Sequence, residues 1–412
     1  MVRRMEKGRR RSPGTPGRSA PPGVVEGACR LLVAGLLSLG VGACSDPAGT
    51  AVPPRGDGAL AQANDCNLDP DYLRDGGVGK DGIPALTDPS FVAAEPNPEN
   101  AYLEDDSRVV GIVVEGQALA VPHNALWYHE IVNVNYPKRQ LAVTYCPLTG
   151  SSMVFDREAV DGDEFGVSGL LWKNNLIMYN RRSGESLWPQ MLGQARCGPL
   201  EGRSLPRYPA QDMTWAGWKH LHPTTRVLSS TESLGRDWET NPYGNYEALS
   251  NDRFLFQDAM PPLDRRRPIK ERVLGVPAGL LGGMAFPFGL LEEAEESGER
   301  AAVNATVSRE LGEHRIVVFW DGEARGAVAF HAHLDGQLLT FRVEGGLIRD
   351  VETGTAWTLE GEGWGGELND ARLDPVADAF VAFWGAWAAF RPDTQLWEGG
   401  EDLTAGAAFS GR

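Results

Sequence analysis

Four side chains between residues 129 and 222 could do chemistry that most residues cannot: the thiol of Cys146, the imidazoles of His129 and His222, and the carboxylate of Glu130. A thiolate is a nucleophile and a soft-metal ligand once a neighbouring imidazole or guanidinium lowers its pKa. Cys146 ends an apolar run and precedes Pro147, so the chain must turn there, and strand ends often present side chains to a site. In a metal centre, Cys146, His129 and His222 would be the ligands, with copper or another soft metal as the cofactor. In an enzyme, Cys146 would be the nucleophile, His129 the base and Glu130 or Asp156 the support. Otherwise Cys146 is a small buried hydrophobe or half of a disulfide with Cys66 or Cys197. Read as strand neighbours, His129 and Glu130 point to opposite faces and cannot chelate one ion together. No Gly-rich phosphate loop, HExxH pair or GxSxG elbow is visible, which argues against nucleotide enzymes, standard zinc proteases and serine hydrolases.

The elements that must position these residues are mostly strands. Val109 to Val114, Leu141 to Tyr145, Met153 to Phe155 and Leu176 to Tyr179 are short runs of β-branched, aromatic and other apolar residues. Turn-forming pieces such as Glu115-Gly116, Asp161-Gly162 and Ser183-Gly184 divide them. Pro122 to Trp127 and Met213 to Leu221 are the places for short helices. In the second of these, Trp215 and Trp218 fall at i, i+3 on one face as core anchors.

The chain also repeats itself. WAGWKHLHPTT at 215–225 and WGAWAAFRPDT at 384–394 share two Trp, a Pro and a Thr without a gap. RVVGIVVEGQALAVPHNAL at 108–126 parallels RVLGVPAGLLGGMAFPFGLL at 272–291 with one residue of slack. SSMVFDREAVDG at 151–162 faces RGAVAFHAHLDG at 325–336, and SGESLW at 183–188 faces ETGTAW at 352–357. The fold expected is β-rich α+β: two tandem copies of one mainly antiparallel module with few short helices. The boundaries are 83–240 for the first copy, 241–268 for a connection and 269–400 for a degenerate second copy.

The series HEIVN at 129–133, YCPLTG at 145–150, FDR at 155–157, SGLL at 168–171, SLW at 186–188 and HPTT at 222–225 resembles the bacterial and archaeal domain of unknown function family 3179. The resemblance covers roughly residues 80–400 and implies kinship without an activity. Relatives often carry a second cysteine where Thr149 stands, so no CxxC dithiol or two-thiolate clamp can be built here.

Polar residues found in one copy only are the better candidates for chemistry. The first copy has His123, His129, Cys146, His220 and His222, where the second has Phe288, Ala294, about Trp320, Ala389 and Arg391. His331 and His333 alternate along an expected strand, a weak metal pair. Arg157 and Arg181 stand beside turns, as anion contacts or partners of Asp156 and Glu185. Three classes follow: a binding module for a soft metal or small ligand in the first copy, a Cys-dependent enzyme, or a structural or protein-interaction protein. An enzyme is neither required nor excluded.

The N-terminus sets the location expected. Eight basic residues within 1–30 precede an apolar run from Leu31 to Gly42, too short to span a bilayer and ending in Val-Gly-Ala-Cys. Residues 1–43 therefore read as a lipoprotein signal peptide, with Cys44 lipidated and residues 44–65 a flexible tether. This makes an exported protein anchored to membrane, facing the periplasm or cell exterior. Removing residues 1–43 takes the formal charge from −17 to −23, which argues against nucleic-acid partners. Cys66, Cys146 and Cys197 then remain, an odd number with at most one bridge among them. Replacing Cys44 by Ser should abolish incorporation of labelled palmitate and release the protein from the membrane pellet. A labelled, sedimenting Cys44→Ser protein would contradict lipidation.

Overall fold

Two glycines explain much of the architecture. Each sits in the first strand of a hairpin, and each is covered by an indole packed so closely that a methyl group has no room. The computed structural model describes residues 66–182, 184–295, 299–309 and 312–400. The expected signal peptide, the expected lipidation site Cys44 and the expected tether lie outside these residues.

In the first segment, β1 (Arg108–Val114) and β2 (Gln117–Pro122) form an antiparallel hairpin, and α1 (His123–His129) follows with Pro122 as its N-cap. A three-stranded antiparallel meander follows: β3 (Ile131–Tyr136), β4 (Arg139–Cys146) and β5 (Ser151–Asp156). Next come β6 (Phe165–Trp172), β7 (Asn175–Asn180) and β8 (Leu187–Pro189), then β9 (Gln211–Thr214), α2 (Trp215–Leu221) and β10 (Arg226–Leu228). β9 pairs with β1, and β10 runs parallel to β2.

The second segment follows the same course. β11 (Arg272–Ala278) and β12 (Gly282–Pro287) form the hairpin, followed by α3 (Phe288–Glu293). The meander is β13 (Arg300–Arg309), β14 (Gly312–Asp321) and β15 (Gly326–His331). A small sheet holds β16 (Phe341–Glu344), β17 (Leu347–Asp350) and β18 (Ala356–Trp357). Last come β19 (Phe380–Phe383), α4 (Trp384–Phe390) and β20 (Asp393–Leu396), with β19 on β11 and β20 parallel to β12.

Individual bonds match as well. Trp218 Nε1–H donates to Thr225 Oγ1 at 2.8 Å, and Trp387 Nε1–H to Thr394 Oγ1 at 2.8 Å. A Cβ on Gly111 would lie 2.4 Å from the Trp218 ring, and one on Gly275 2.2 Å from that of Trp387. Trp215 N–H bonds Ser107 O at 2.7 Å, and Trp384 N–H bonds Glu271 O at 2.7 Å.

The segments are parts of one compact unit, and strands are shared between them. β19 of the second segment lies beside β5 of the first, with Val381 opposite Ser152, giving an eight-stranded sheet. Phe383 N–H donates to Thr149 O at 2.9 Å, and reciprocally Thr214 N–H donates to Ala324 O at 2.9 Å. Between them, residues 241–268 are no bare linker: Phe254 and Met260 are buried in the core with Trp384 and Phe383.

Several local expectations change. α1 runs through His129, and Glu130 follows it in the left-handed region with φ 55°, so the two residues are not strand neighbours. The sheet register makes Asp321, one residue beyond Trp320, the counterpart of Cys146 in the second segment, because Cys146 pairs Ser151 as Asp321 pairs Gly326. His331 ends β15 while His333 begins a separate two-residue strand, so they do not share one strand face. Arg157 is buried and bonds the carbonyls of Leu141, Gly162 and Asp163, and Arg181 pairs with Asp81.

Filling the space under either indole should overpack the core. Gly111→Ala and Gly275→Ala are each expected to cost about 1–3 kcal/mol, read as a lower urea midpoint. An unchanged midpoint for either would mean that the indole is free to move aside.

Candidate functional site

Cys146 ends β4 with no exposed surface. Its sulfur accepts a bond from Leu176 N–H at 3.4 Å and donates to Asn174 O at 3.6 Å. Cys66 and Cys197 form a disulfide, so Cys146 is the free thiol among the described residues. Burial pushes its pKa up to about 11, with Glu130 adding to the rise and Thr149 opposing it. Such a thiol is protonated near neutrality and is poorly equipped as a nucleophile.

The other sequence candidates do not assemble around it. His129 Nδ1 faces Pro84 O at 2.8 Å, so that nitrogen carries the proton, and burial lowers the pKa of the ring. Its edge meets Trp238. His222 packs on Trp218, with Nε2 2.9 Å from Glu360 Oε1 in the second segment. Among the described residues, no group of three or more His, Cys, Asp or Glu side chains is placed to hold a metal ion. Of the predicted set, Glu130 and Cys146 are the pair brought within electrostatic reach. Burial raises the Glu130 carboxyl to about 8, so it is largely neutral at pH 7.

A polar cluster that sequence reading found only through His123 lies where the segments meet. Asp212 on β9 accepts from Arg108 Nε at 2.6 Å and faces His123 Nε2 at 3.1 Å. Ser152 Oγ donates to the same Asp212 Oδ2. Burial alone would raise the Asp212 carboxyl, but Arg108, His123 and Arg272 outweigh it and hold it well below the usual carboxylate range. Ser, His and Asp here are not a hydrolytic relay. Ser152 lies 3.4 Å from His123 Nε2, the nitrogen that also faces Asp212, whereas a relay needs opposite ring nitrogens.

Above this cluster are two cavities of about 560 and 350 Å³ that share Asp106, Arg108, Glu247 and Arg272 in their walls. Arg108 and Arg272 start the equivalent strands β1 and β11, so the cleft lies on the junction of the two segments. His123, Asn124 and Trp127 line one cavity; Lys270 and Phe288 line the other. Lys270 is only 1% exposed, and its Nζ has no hydrogen-bond partner. The Nζ stands 3.4 Å from the ring centre of Tyr246 and 4.2 Å from that of Phe254. Burial lowers its pKa to about 7, against the pull of Cys146 and Glu247. Arg272 bonds Glu247 through one nitrogen, while its Nε is buried without a partner.

A family model described as "Protein of unknown function (DUF3179)" matches residues 80–394. The chain belongs to this family. No curated protein and no solved structure matches it. The DUF3179 span contains Cys146, the Asp212 cluster and the whole cleft, while Cys66 of the disulfide precedes it.

Sequence reasoning missed Arg108, Ser152, Asp212, Glu247, Lys270 and Arg272. One signal was available: carrying the gapless match three residues upstream from Trp215 and Trp384 sets Asp212 opposite Val381. The aromatic wall of Tyr246 and Phe254 had no such signal, because it comes from the connection.

Folded Glu130 keeps its proton to about pH 8, whereas an unperturbed carboxyl releases it near 4.5. Folding stability therefore falls as pH rises through that window, since the native state binds the extra proton. Glu130→Gln cannot ionise, so its urea midpoint should decline less from pH 5 to 8 than that of the wild type. Parallel profiles would show that the Glu130 carboxyl is not buried in its neutral form.

Proposed function

We propose that this protein is an exported, lipid-anchored binding module of the cell envelope, and that the cleft between its segments takes a small organic anion. The observation that carries the ligand assignment is a pair of cationic donors, Lys270 Nζ and Arg272 Nε, that are buried without partners in one cavity wall. Buried polar groups are nearly always satisfied, and a buried N–H left without an acceptor is costly.

The acidic residues nearby do not supply the missing partners. Asp212 is engaged by Arg108, His123 and Ser152, and Glu271 is held by Arg267 at 2.6 and 2.7 Å. Glu247 is bound by Arg272 itself, while Asp106 and Glu292 are exposed, where water and salt screen them. An incoming carboxylate would satisfy donors that the protein leaves open, in a space suited to a small molecule. Export is supported by the basic and apolar leader ending in Cys44, and by the Cys66–Cys197 disulfide, a bond typical of oxidising compartments.

Calorimetric titration with lactate, succinate and inorganic phosphate tests the ligand class. Saturable binding of at least one is expected. Arg272→Gln should weaken it by about tenfold or more, the scale of one charged hydrogen bond. Absence of binding by all three, or equal binding by the variant, would remove the anion assignment.

A further inference from the structure

Lys270 stands two residues before Arg272, in the turn that Glu271 N–H closes onto Pro268 O at 2.9 Å, and Arg272 begins β11. Both line the same cavity, and both carry an unpartnered nitrogen. A structural ammonium in a protein interior would ordinarily collect carboxylate or carbonyl acceptors for its three N–H groups. The Lys270 Nζ is instead enclosed by the rings of Tyr246, Phe254 and Phe383, at 3.4, 4.2 and 5.1 Å from their centres. Apolar enclosure of this kind leaves the amine lone pair unused and keeps water off it.

We propose that Lys270 is a nucleophilic amine that forms an imine with the carbonyl carbon of a small oxo acid, whose carboxylate is held by Arg272. This rests on the anion-binding reading of the cleft and adds the substrate class: a carboxylate with an adjacent ketone or aldehyde. In such an acid the carboxylate and carbonyl carbons are bonded neighbours, so one molecule in the shared cavity would engage both residues. The amine lone pair attacks the carbonyl carbon; the C–N bond forms as the C–O π bond breaks, and the oxygen takes a proton. Loss of water from this carbinolamine carries off both amine protons and leaves the neutral imine, with no oxidant or reductant needed. The lowered pKa of Lys270, about 7, provides neutral amine near neutral pH. Exposed lysines at that pH are almost wholly protonated and unreactive.

The test uses pyruvate with sodium cyanoborohydride, which reduces an imine to a stable secondary amine, followed by peptide mapping of the purified protein. Lys270 should be labelled about tenfold or more above Lys80, Lys138, Lys173 and Lys219, as expected for a desolvated amine nucleophile. Lys270→Arg, which keeps the cation but cannot form an imine, should lose the label at this peptide. Mapping on the wild-type protein decides the matter even if that variant fails to fold. Calorimetry with lactate, which lacks the carbonyl, runs in parallel on the wild type and Arg272→Gln. Arg272-dependent lactate binding without preferential labelling overturns the imine and leaves the anion site standing. Equal labelling of Lys270 in wild type and Arg272→Gln, with no lactate binding, keeps the amine chemistry and removes the anion site. Neither labelling nor binding overturns both.

Discussion

The structure depends on a reciprocal pair of backbone hydrogen bonds that joins the two segments. Phe383 N–H reaches Thr149 O in the turn after β4, and Thr214 N–H reaches Ala324 O in the turn after β14. Each strand that leads into a Trp-bearing helix therefore docks against the other segment's meander. Close approach has to be allowed at both places, and small residues allow it: a Cβ on Gly150 would sit 2.5 Å from the Phe383 ring, and one on Gly217 2.5 Å from Ala324. Because each segment completes the other, the beginnings of β1 and β11 lie near one another, and Arg108 and Arg272 come to share one cleft.

This arrangement also explains why the cleft is lopsided. His123, Ser152 and Asp212 have Phe288, Ala327 and Val381 at the corresponding places, so one side of the junction is a bonded polar cluster and the other is apolar. Away from that cluster, burial decides which groups carry charge. Glu130 is held neutral, the Cys146 thiol stays protonated, and Lys270 gives up its proton near pH 7. The desolvation that suppresses a thiolate favours a free amine, because in each case the charged form is the one that loses hydration. The same environment that disarms the cysteine arms the lysine.

Much of the scaffold was legible in the sequence because it is written in local pattern. Strand runs, the Trp i, i+3 pairs and the gapless Trp-to-Thr match all survive as β1, β4, β5, β7, α2 and α4. His129 and Glu130 were misplaced, because a left-handed non-glycine residue after a helix leaves no compositional mark. His222 and Cys146 look like partners only when three-dimensional separation is unknown. The cleft was harder still. Lys270 and Arg272 are unremarkable in a basic stretch, RRRPIKER, and nothing local says that Tyr246 and Phe254 fold back over Lys270. The buried network of Thr149, Ser151, Asn175 and Gln190 is equally silent, since each residue reads as a turn or surface type until its partners are known.

The disulfide has a bearing on how the chain reaches this state. Cys146 lies in sequence between the two cysteines that pair, so a chain oxidised as it emerges would present Cys146 to Cys66 before Cys197 arrives. Thiol–disulfide exchange requires access to the attacking sulfur, and the groups bonded to the Cys146 sulfur, Asn174 O and Leu176 N–H, also precede Cys197 in the chain. Local contacts form sooner than distant ones. Closure of the strands around Cys146 before Cys197 arrives would withdraw the competing thiol, and the order of folding, rather than any preference among the sulfurs, would then select the bond.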